Sequence, residues 1–248
     1  YLVLGDFTQA LAYLEENIRT GRELGWQRLL AFATMNLGYL LALVGEFTRA
    51  QQASAEALAI FVNLGCRSEE ANTRAQLCGI YHALGDNEQA YTFGLQALAI
   101  AEAEHYALER GLTLQNLGNV LATMQRWQEA HYLYEQALTV WQAMKNADQI
   151  ALALSSLAFV ALQQQQVDQA QALVERILPE LNNISVDGVG IFVVCYQLLA
   201  LRHDPRAAAV LRQGYAFIQT QYATLQDDRL RHAFLTEVAA NRALLELA

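Results

Sequence analysis

Proline and lysine are rare in this chain. Its 248 residues contain only two prolines, Pro179 and Pro205, and a single lysine, Lys145. Because proline breaks helices, this scarcity allows long helices over most of the sequence. The other cations are fifteen arginines that form no basic run, and the net charge is −9. Since phosphate neutralisation needs clustered cations, we expect no direct contact between this chain and nucleic acid.

Cysteine is also rare, and long apolar runs are missing. Cys66, Cys78 and Cys195 form no CxxC pair, and their odd number indicates structural thiols in a reducing compartment rather than a metal or redox site. The longest apolar run, residues 189–201, is shorter than the roughly 20 residues that span a bilayer. With no recognisable signal peptide, the sequence predicts a cytoplasmic chain without membrane contact.

Motifs that carry chemistry are missing as well. The sequence has no GxxxxGK(S/T), no GxGxxG and no HExxH, so it offers neither a phosphate-binding loop nor a zinc-protease site. Its five histidines fall at no metal-ligand spacing. Glutamate pairs such as Glu15-Glu16 are typical of solvated helix faces. We therefore expect no enzyme activity, no cofactor and no metal.

What the chain does contain is a phrase repeated every 40 residues. Gly-Asp-Phe-Thr-Gln-Ala at 5–10 returns, with changes, at 45–50 and 85–90, and in more altered copies at 125–130 and 165–170. A fixed period of about 20–50 residues indicates a solenoid of stacked supersecondary units. The sequence thus favours a binding surface over an active site.

One repeat has the pattern of a helical hairpin. Residues 29–44 and 47–64 each place apolar side chains at helical spacing, and Gly45 separates them. Gly65 stands just past the second helix, where a left-handed C-cap favours glycine. At the start of the second helix, Asp6 and Asp86 are suited to accept from the free first-turn amides.

Three copies of one pattern of small and large residues resemble the tetratricopeptide repeat (TPR). They are Leu37-Gly38, Leu41, Gly45, Ala50 and Ala57, then Leu77, Tyr81, Gly85, Ala90 and Ala97, then residues 115–119 with Leu121, Ala130, Tyr134 and Ala137. The interval of 40 instead of about 34 residues, with no closing proline, resembles the longer variant of bacterial signal-transduction ATPases and large transcriptional regulators. The resemblance implies an all-α, right-handed superhelix of about five helical hairpins with a C-terminal helical cap.

The repeat pattern also sets the expected domain division. Repeats at about 1–27, 28–67, 68–107, 108–147 and 148–181 would form the array, and residues 182–248 a non-repeating cap. Residues 1–4 would be the end of a first helix, and there is no initiator Met, so we expect a piece of a larger protein with more repeats or another domain upstream. An open half-repeat exposes apolar surface, which would also permit a homodimer through the N-terminal end.

The cap has its own predicted elements. Residues 182–188 are turn formers, and helices are expected at 190–201 and 206–225, the second opening with Pro205 at its first position. Asp227 and Asp228 would cap one more helix. Residues 229–245 resemble the segment that closes the array in those regulators, where a short helix carrying Arg and Phe-Leu folds back on the last hairpin.

In TPR proteins the first helix of each hairpin lines the concave side, and helical spacing gives the inward positions. The predicted groove residues are Phe32, Met35, Asn36, Tyr39, Asn72, Gln76, His82, Leu112, Gln115, Asn116, Asn119, Thr123, Ser155, Ser156 and Phe159, with Leu152 and Gln163 also facing inward. Neutral residues stand where TPR grooves that bind terminal carboxylates carry Lys and Arg. We therefore expect no carboxylate clamp.

One inward row, Asn36, Gln76, Asn116 and Ser156, forms a neutral polar ladder. Two interpretations are open. Asn before Leu-Gly is common in TPR sequences and would bond locally. Alternatively, the ladder would bind an uncharged polar ligand or a peptide backbone. His82 would be either a pH-sensitive contact or a packed side chain.

The function implied by these features is binding. The resemblance implies a non-catalytic interaction or sensor domain of a larger bacterial regulatory protein, which binds an inducer or protein partner in its groove to control an upstream switch domain. The partner would be a protein, a peptide or a small uncharged polar effector. The alternative is a general protein–protein scaffold with no small-molecule effector.

Overall fold

The computed structural model describes residues 6–184 and 188–247, and in these residues the chain consists of helices without a strand. A short 3₁₀ helix, Leu178–Asn183, accompanies the α-helices. The α-helices are α1 Phe7–Leu24, α2 Gln27–Leu43, α3 Phe47–Leu64, α4 Arg67–Ala83, α5 Asn87–Ala103, α6 Ala107–Thr123, α7 Trp127–Met144, α8 Ala147–Gln163, α9 Val167–Ile177, α10 Val189–Leu201, α11 Ala207–Thr224, α12 Asp228–Thr236 and α13 Ala239–Glu246. The predicted all-α fold is confirmed.

Helices α2 to α9 form four hairpins that stack in chain order. Within each hairpin the two helices pack side by side, and the second helix also packs against the first helix of the next hairpin. The first helices α2, α4, α6 and α8 contact one another along the array. Helix α1 packs on α2 as the second helix of the first repeat, and residues 1–4 lie outside the described residues.

The turns between helices share one backbone conformation. Its positive φ occurs first at Gly25, Gly45, Gly65 and Gly85, then at the equivalent His105, Gln125, Lys145 and Gln165. The predicted left-handed cap at Gly65, after α3, is confirmed, and α1 ends in the same way at Gly25. Because side chains other than glycine also occupy this conformation here, the glycine phrase changes after residue 85 while the hairpins persist.

Two of the predicted helix caps are confirmed. The Asp6 carboxylate accepts from the Gln9 amide at 3.1 Å, and the Asp86 carboxylate accepts from the Gln89 amide at 3.0 Å. Glu46 stands at the same place before α3 but makes no capping bond. Its carboxylate instead pairs with Arg49 and Arg229.

Helix α10 lies inside the molecule. Eight of its residues are buried, on all sides of the helix: Val189, Ile191, Phe192, Val193, Val194, Cys195, Leu198 and Leu199. It packs against α8, α9, α11 and α13, which accounts for the apolar run noted in the sequence. None of the described helices is long and apolar enough to cross a membrane.

The C-terminal part continues the helical stack after the 40-residue period ends. Helices α10 and α11 pack as a further hairpin, and α10 contacts α8 much as a first helix would. The predicted loop begins inside the 3₁₀ helix, and residues 185–187 lie outside the described residues. Pro205 precedes α11 by two residues and does not open it. The domain division at residue 181 stays a prediction.

The position of α12 differs from the prediction that it folds back on the last hairpin. Arg229 of α12 pairs with Glu46 in the turn between α2 and α3, and the Phe234 ring lies 6.2 Å from the ring of Phe7 in α1. Helix α13 is the element that packs on α10 and α11. The prediction is wrong for α12 because the array curves far enough to bring its first repeat beside α11.

The recurring alanine of the repeated phrase is buried where paired helices cross. Ala50, Ala90, Ala130 and Ala170 have no exposed surface. A larger side chain at such a position would force the two helices apart.

Replacing Ala90 by leucine is therefore expected to lower the free energy of unfolding by about 1–3 kcal/mol through overpacking. Ala103→Leu, on the exposed side of the same helix, should stay within about 0.5 kcal/mol of the unmodified chain. Urea unfolding followed by circular dichroism measures both. Equal losses would show that the crossing at Ala90 has room to spare.

Candidate binding groove

Two adjoining cavities lie along the inner side of the array. The first has a volume of about 340 Å³ and is bounded by α2, α4, α6 and α8. The second has a volume of about 470 Å³ and is bounded by α4, α6, α7, α8 and α10. Leu152 of α8 lines both. We call these two cavities together the groove.

The groove contains most of the residues that the sequence places there. The first cavity is lined by Met35, Asn36, Tyr39, Asn72, Gln76, Leu112, Gln115 and Asn116. The second is lined by His82, Asn119, Thr123, Ser155, Ser156, Phe159 and Gln163. Phe32 is not brought to either cavity: its ring packs edge-on against Phe61 at 5.2 Å, with the Arg28 guanidinium 5.8 Å from its centroid.

The polar ladder joins successive repeats. The Gln76 amide nitrogen donates to the Met35 carbonyl at 3.2 Å, and the Asn116 amide nitrogen donates to the Ala75 carbonyl at 2.8 Å. Both bonds connect residues 41 apart. The interpretation that the ladder bonds locally is therefore wrong for these two residues, because their acceptors belong to the preceding repeat.

The same separation recurs across the groove. Gln115 donates to the Ser156 hydroxyl at 2.8 Å, and His82 Nε2 lies 2.7 Å from the Thr123 hydroxyl, each pair again 41 residues apart. Position i of one repeat thus meets position i+1 of the next. Asn36 begins the row, and a partner 41 residues before it would fall outside this chain.

The lining of the groove is neutral. Among the described residues that line the two cavities, none is Asp, Glu, Lys or Arg. Amide and hydroxyl groups provide both donors and acceptors, and Tyr39, Trp127 and Phe159 add aromatic surface. The Trp127 and Phe159 rings meet edge-on at 6.3 Å in the second cavity. Such a lining suits uncharged polar groups rather than a terminal carboxylate.

Burial controls the titratable groups near the groove. Burial lowers the pKa of His82, because the imidazolium ion loses hydration there. The Tyr134 hydroxyl donates to the Asn119 side-chain oxygen at 2.8 Å, and burial raises the pKa of this phenol. Burial raises the pKa of the Cys78 and Cys195 thiols to about 12, so neither is a thiolate at neutral pH.

Sequence reasoning missed part of the groove. Gln149, one turn before Leu152 on α8, lines the first cavity, and Trp127 and Tyr134 of α7 line the second. Gly190 and Val194 of α10 complete the second cavity. The repeat pattern predicts lining only from first helices, which leaves out α7 and α10, and Gln149 lies one turn before the first inward position predicted on α8. Trp127 stands at the position of Phe7 and Phe47 in the repeated phrase, which was the available signal.

Comparison with known proteins agrees with the repeat fold. A family model for the tetratricopeptide repeat matches residues 69–143, from the first turn of α4 to the last turn of α7. The chain contains a tetratricopeptide-repeat domain. No curated protein matches the chain.

Several solved structures share the TPR-like fold. BtubC (BKLC) from P. vanneervenii is 19% identical with a TM-score of 0.63, over 93% of this chain and 92% of that one. Aspartyl phosphate phosphatase F from Bacillus subtilis is 13% identical with a TM-score of 0.66, over 98% of this chain and 68% of that one. The Rap conjugation gene regulator of the plasmid pLS20, in complex with the Phr* peptide, is 16% identical with a TM-score of 0.66, over 88% of this chain and 64% of that one. At these identities the likeness shows the fold alone.

The bond between Asn116 and the preceding repeat can be tested by removing it. Asn116→Ala is expected to lower the free energy of unfolding by about 0.5–1.5 kcal/mol, the usual net contribution of one hydrogen bond. Asn63→Ala, at an exposed position near the end of α3, is the matched control and should change stability by less than about 0.5 kcal/mol. Denaturant titration of the three proteins gives the comparison. A silent Asn116→Ala would mean that the inter-repeat bond contributes nothing.

Acid should weaken the fold through His82. Its pKa is lowered in the folded chain, so the unfolded chain binds the proton more readily and the contribution of His82 is lost as pH falls below about 6.5. We expect His82→Gln to reduce the fall in melting temperature between about pH 7.5 and pH 5.5. Gln165→Asn, which replaces one neutral side chain by another at an exposed turn with positive φ, should leave that fall unchanged. Identical pH profiles for the His82 variant and the unmodified chain would exclude this linkage.

Proposed function

We propose that this chain is a non-catalytic interaction domain whose groove binds a neutral segment of a peptide or protein partner. The observation that carries the proposal is the lining of the groove, which combines amides, hydroxyls and aromatic rings with no Asp, Glu, Lys or Arg among the described residues. A peptide backbone presents one N–H donor and one C=O acceptor per residue and carries no charge, so it is complementary to this lining.

The comparisons support a peptide ligand without deciding its sequence. The pLS20 Rap regulator, which has a similar fold, was solved with the Phr* peptide. By this likeness and by the resemblance to bacterial regulators, the chain serves in the cytoplasm as the sensor or interaction domain of a larger bacterial regulatory protein, in signal transduction or transcription regulation. A partner that binds one curvature of the array better than another would thereby control an upstream switch domain.

A small uncharged effector is the second candidate, and the first cavity favours it. Its volume of about 340 Å³ lies within the range of roughly 300–1,000 Å³ that is typical of small-molecule sites. A general scaffold without such an effector is the remaining alternative. A homodimer through the N-terminal end stays a prediction; the large apolar side chains exposed on the described part of α1 are Tyr13 and Leu24.

The proposal is tested by thermal unfolding of the chain with a panel of ligands. The panel contains capped neutral pentapeptides, the same peptides with a Glu or a Lys inserted, and sugars, nucleotides and free amino acids. We expect a neutral peptide to raise the melting temperature. At a free peptide concentration of 100 times its Kd, the free energy of unfolding should increase by about 2.7 kcal/mol. A central charge should abolish the shift, because no Asp, Glu, Lys or Arg among the described lining residues could pair with it.

Asn36→Ala locates the binding site with little structural cost, because no hydrogen bond joins the Asn36 side chain to another described residue. It should abolish the peptide-dependent shift, whereas Asn63→Ala outside the groove should retain it. A shift that appears only with sugars, nucleotides or amino acids, and is lost in Asn36→Ala, would replace the peptide by a small effector. A peptide shift that survives Asn36→Ala would place binding outside the groove and overturn the proposal.

A further inference from the structure

The two ends of the described chain are held together by hydrogen bonds. The Phe7 amide donates to the Thr224 hydroxyl at 3.3 Å, and the Thr8 hydroxyl donates to the Thr224 carbonyl at 2.5 Å. The Gln226 amide in turn donates to the Thr8 hydroxyl at 3.2 Å. First-turn amides of a helix have no partner within it, so this segment satisfies the start of α1. We call residues 224–237, the end of α11 together with α12, the clasp.

The clasp also holds the turn between α2 and α3. Arg229 makes two hydrogen bonds, of 2.8 and 2.7 Å, to the carboxylate oxygens of Glu46, whose side chain is 8% exposed. Gly45 allows the approach of α12, since a Cβ there would lie 2.7 Å from the Ala233 carbonyl oxygen. Phe234 and Leu230 are buried together with Phe7 in the largest core cluster.

Equivalent positions in the next repeats show what the clasp changes. Val44 is fully buried, whereas the equivalent Leu84 and Met124, 40 and 80 residues further along the chain, are 42% and 45% exposed. Gly85 has the same positive φ as Gly45, but a Cβ added to it would meet nothing within 4 Å. Val44 and Gly45, at the turn between α2 and α3, are therefore covered by the clasp and not by the repeat itself.

The clasp and the groove share helix α2. Asn36 and Tyr39 line the first cavity, and Val44, at the end of the same helix, lies under the clasp. The opposite wall of that cavity is Gln149 and Leu152 on α8, three repeats away. A cavity bounded by such distant repeats has a width that depends on the curvature of the whole array, because each hairpin contacts its neighbours and transmits small rotations.

We propose that the clasp regulates the groove. Closed on the first repeat, it holds α2 and α8 at the spacing that forms the first cavity; released, it lets the array open and the cavity widen. Occupancy of the groove and closure of the clasp are then linked, so that whatever binds the closed groove tightens the clasp and whatever releases the clasp weakens binding. This inference rests on the proposed function of the groove, but it is tested without any ligand.

The test compares two matched glycine variants and one charge variant. Gly45→Ala introduces a Cβ against the clasp, whereas Gly85→Ala introduces the same backbone strain at a turn that faces open space. Glu46→Gln keeps the shape of the side chain but removes the charge that Arg229 pairs with. Amide hydrogen exchange measures the opening of α12, and small-angle X-ray scattering measures the radius of gyration of each protein.

We expect Gly45→Ala and Glu46→Gln to speed amide exchange in α12 by about tenfold or more, since both destabilise the closed state locally. Exchange in α2 and α8 should rise with it, exchange in α5 should not, and the radius of gyration should increase. Gly85→Ala should leave α12 protected and the radius unchanged. Faster exchange in α12 with unchanged α2, α8 and radius would overturn the link between clasp and groove.

The outcomes for the clasp and for the groove remain separate. If no peptide stabilises the chain but the variants open it as expected, the proposed function fails and the clasp remains a structural closure. If a peptide shift is found and depends on Asn36, yet the variants do not open the array, the clasp proposal fails alone. An equal response of Gly45→Ala and Gly85→Ala would also overturn it, since the contact with Ala233 would then have no effect.

Discussion

A single register between neighbouring repeats organises the molecule. The side chains that join one first helix to the next bridge 41 residues each time, whether the bond runs from Gln76, from Asn116 or from Gln115. The period of the sequence is 40, so each bond joins a position in one repeat to the position one residue further on in the next repeat. The same offset at three successive interfaces means that each hairpin is joined to its neighbour through equivalent positions.

The register also explains why the inner surface is polar and neutral. An amide side chain can donate to a helix carbonyl of the preceding repeat and still keep a second polar atom. A charged side chain in the same place would need a counter-ion in every repeat. In the polar ladder, Gln76 and Asn116 each donate to a carbonyl of the neighbouring repeat, and whether the ladder also binds a ligand stays a prediction. The residues that join neighbouring repeats are thus among those that line the cavities.

The repeat pattern predicted the fold and most of the groove because both depend on local spacing. Helical periodicity placed α2 to α9, and the inward positions followed from steps of three and four residues along each first helix. What could not be predicted depends on contacts between distant parts of the chain. Trp127 and Val194 line the second cavity only because α7 and α10 lie beside it. The place of α12 depends on a meeting of Arg229 with Glu46, 183 residues earlier, which no periodic signal reveals.

The contacts of α1 with Thr224 and α12 affect the order and the rate in which this chain can fold. In an open solenoid each repeat can form as soon as its neighbour exists, because almost all contacts are local. Here the first helix is completed by Thr224 and Phe234, so contacts with sequence separations above 200 residues enter the core. Such distant contacts raise the contact order and slow folding. During synthesis, Phe7 is therefore not fully covered until the segment that carries Thr224 and Phe234 has left the ribosome.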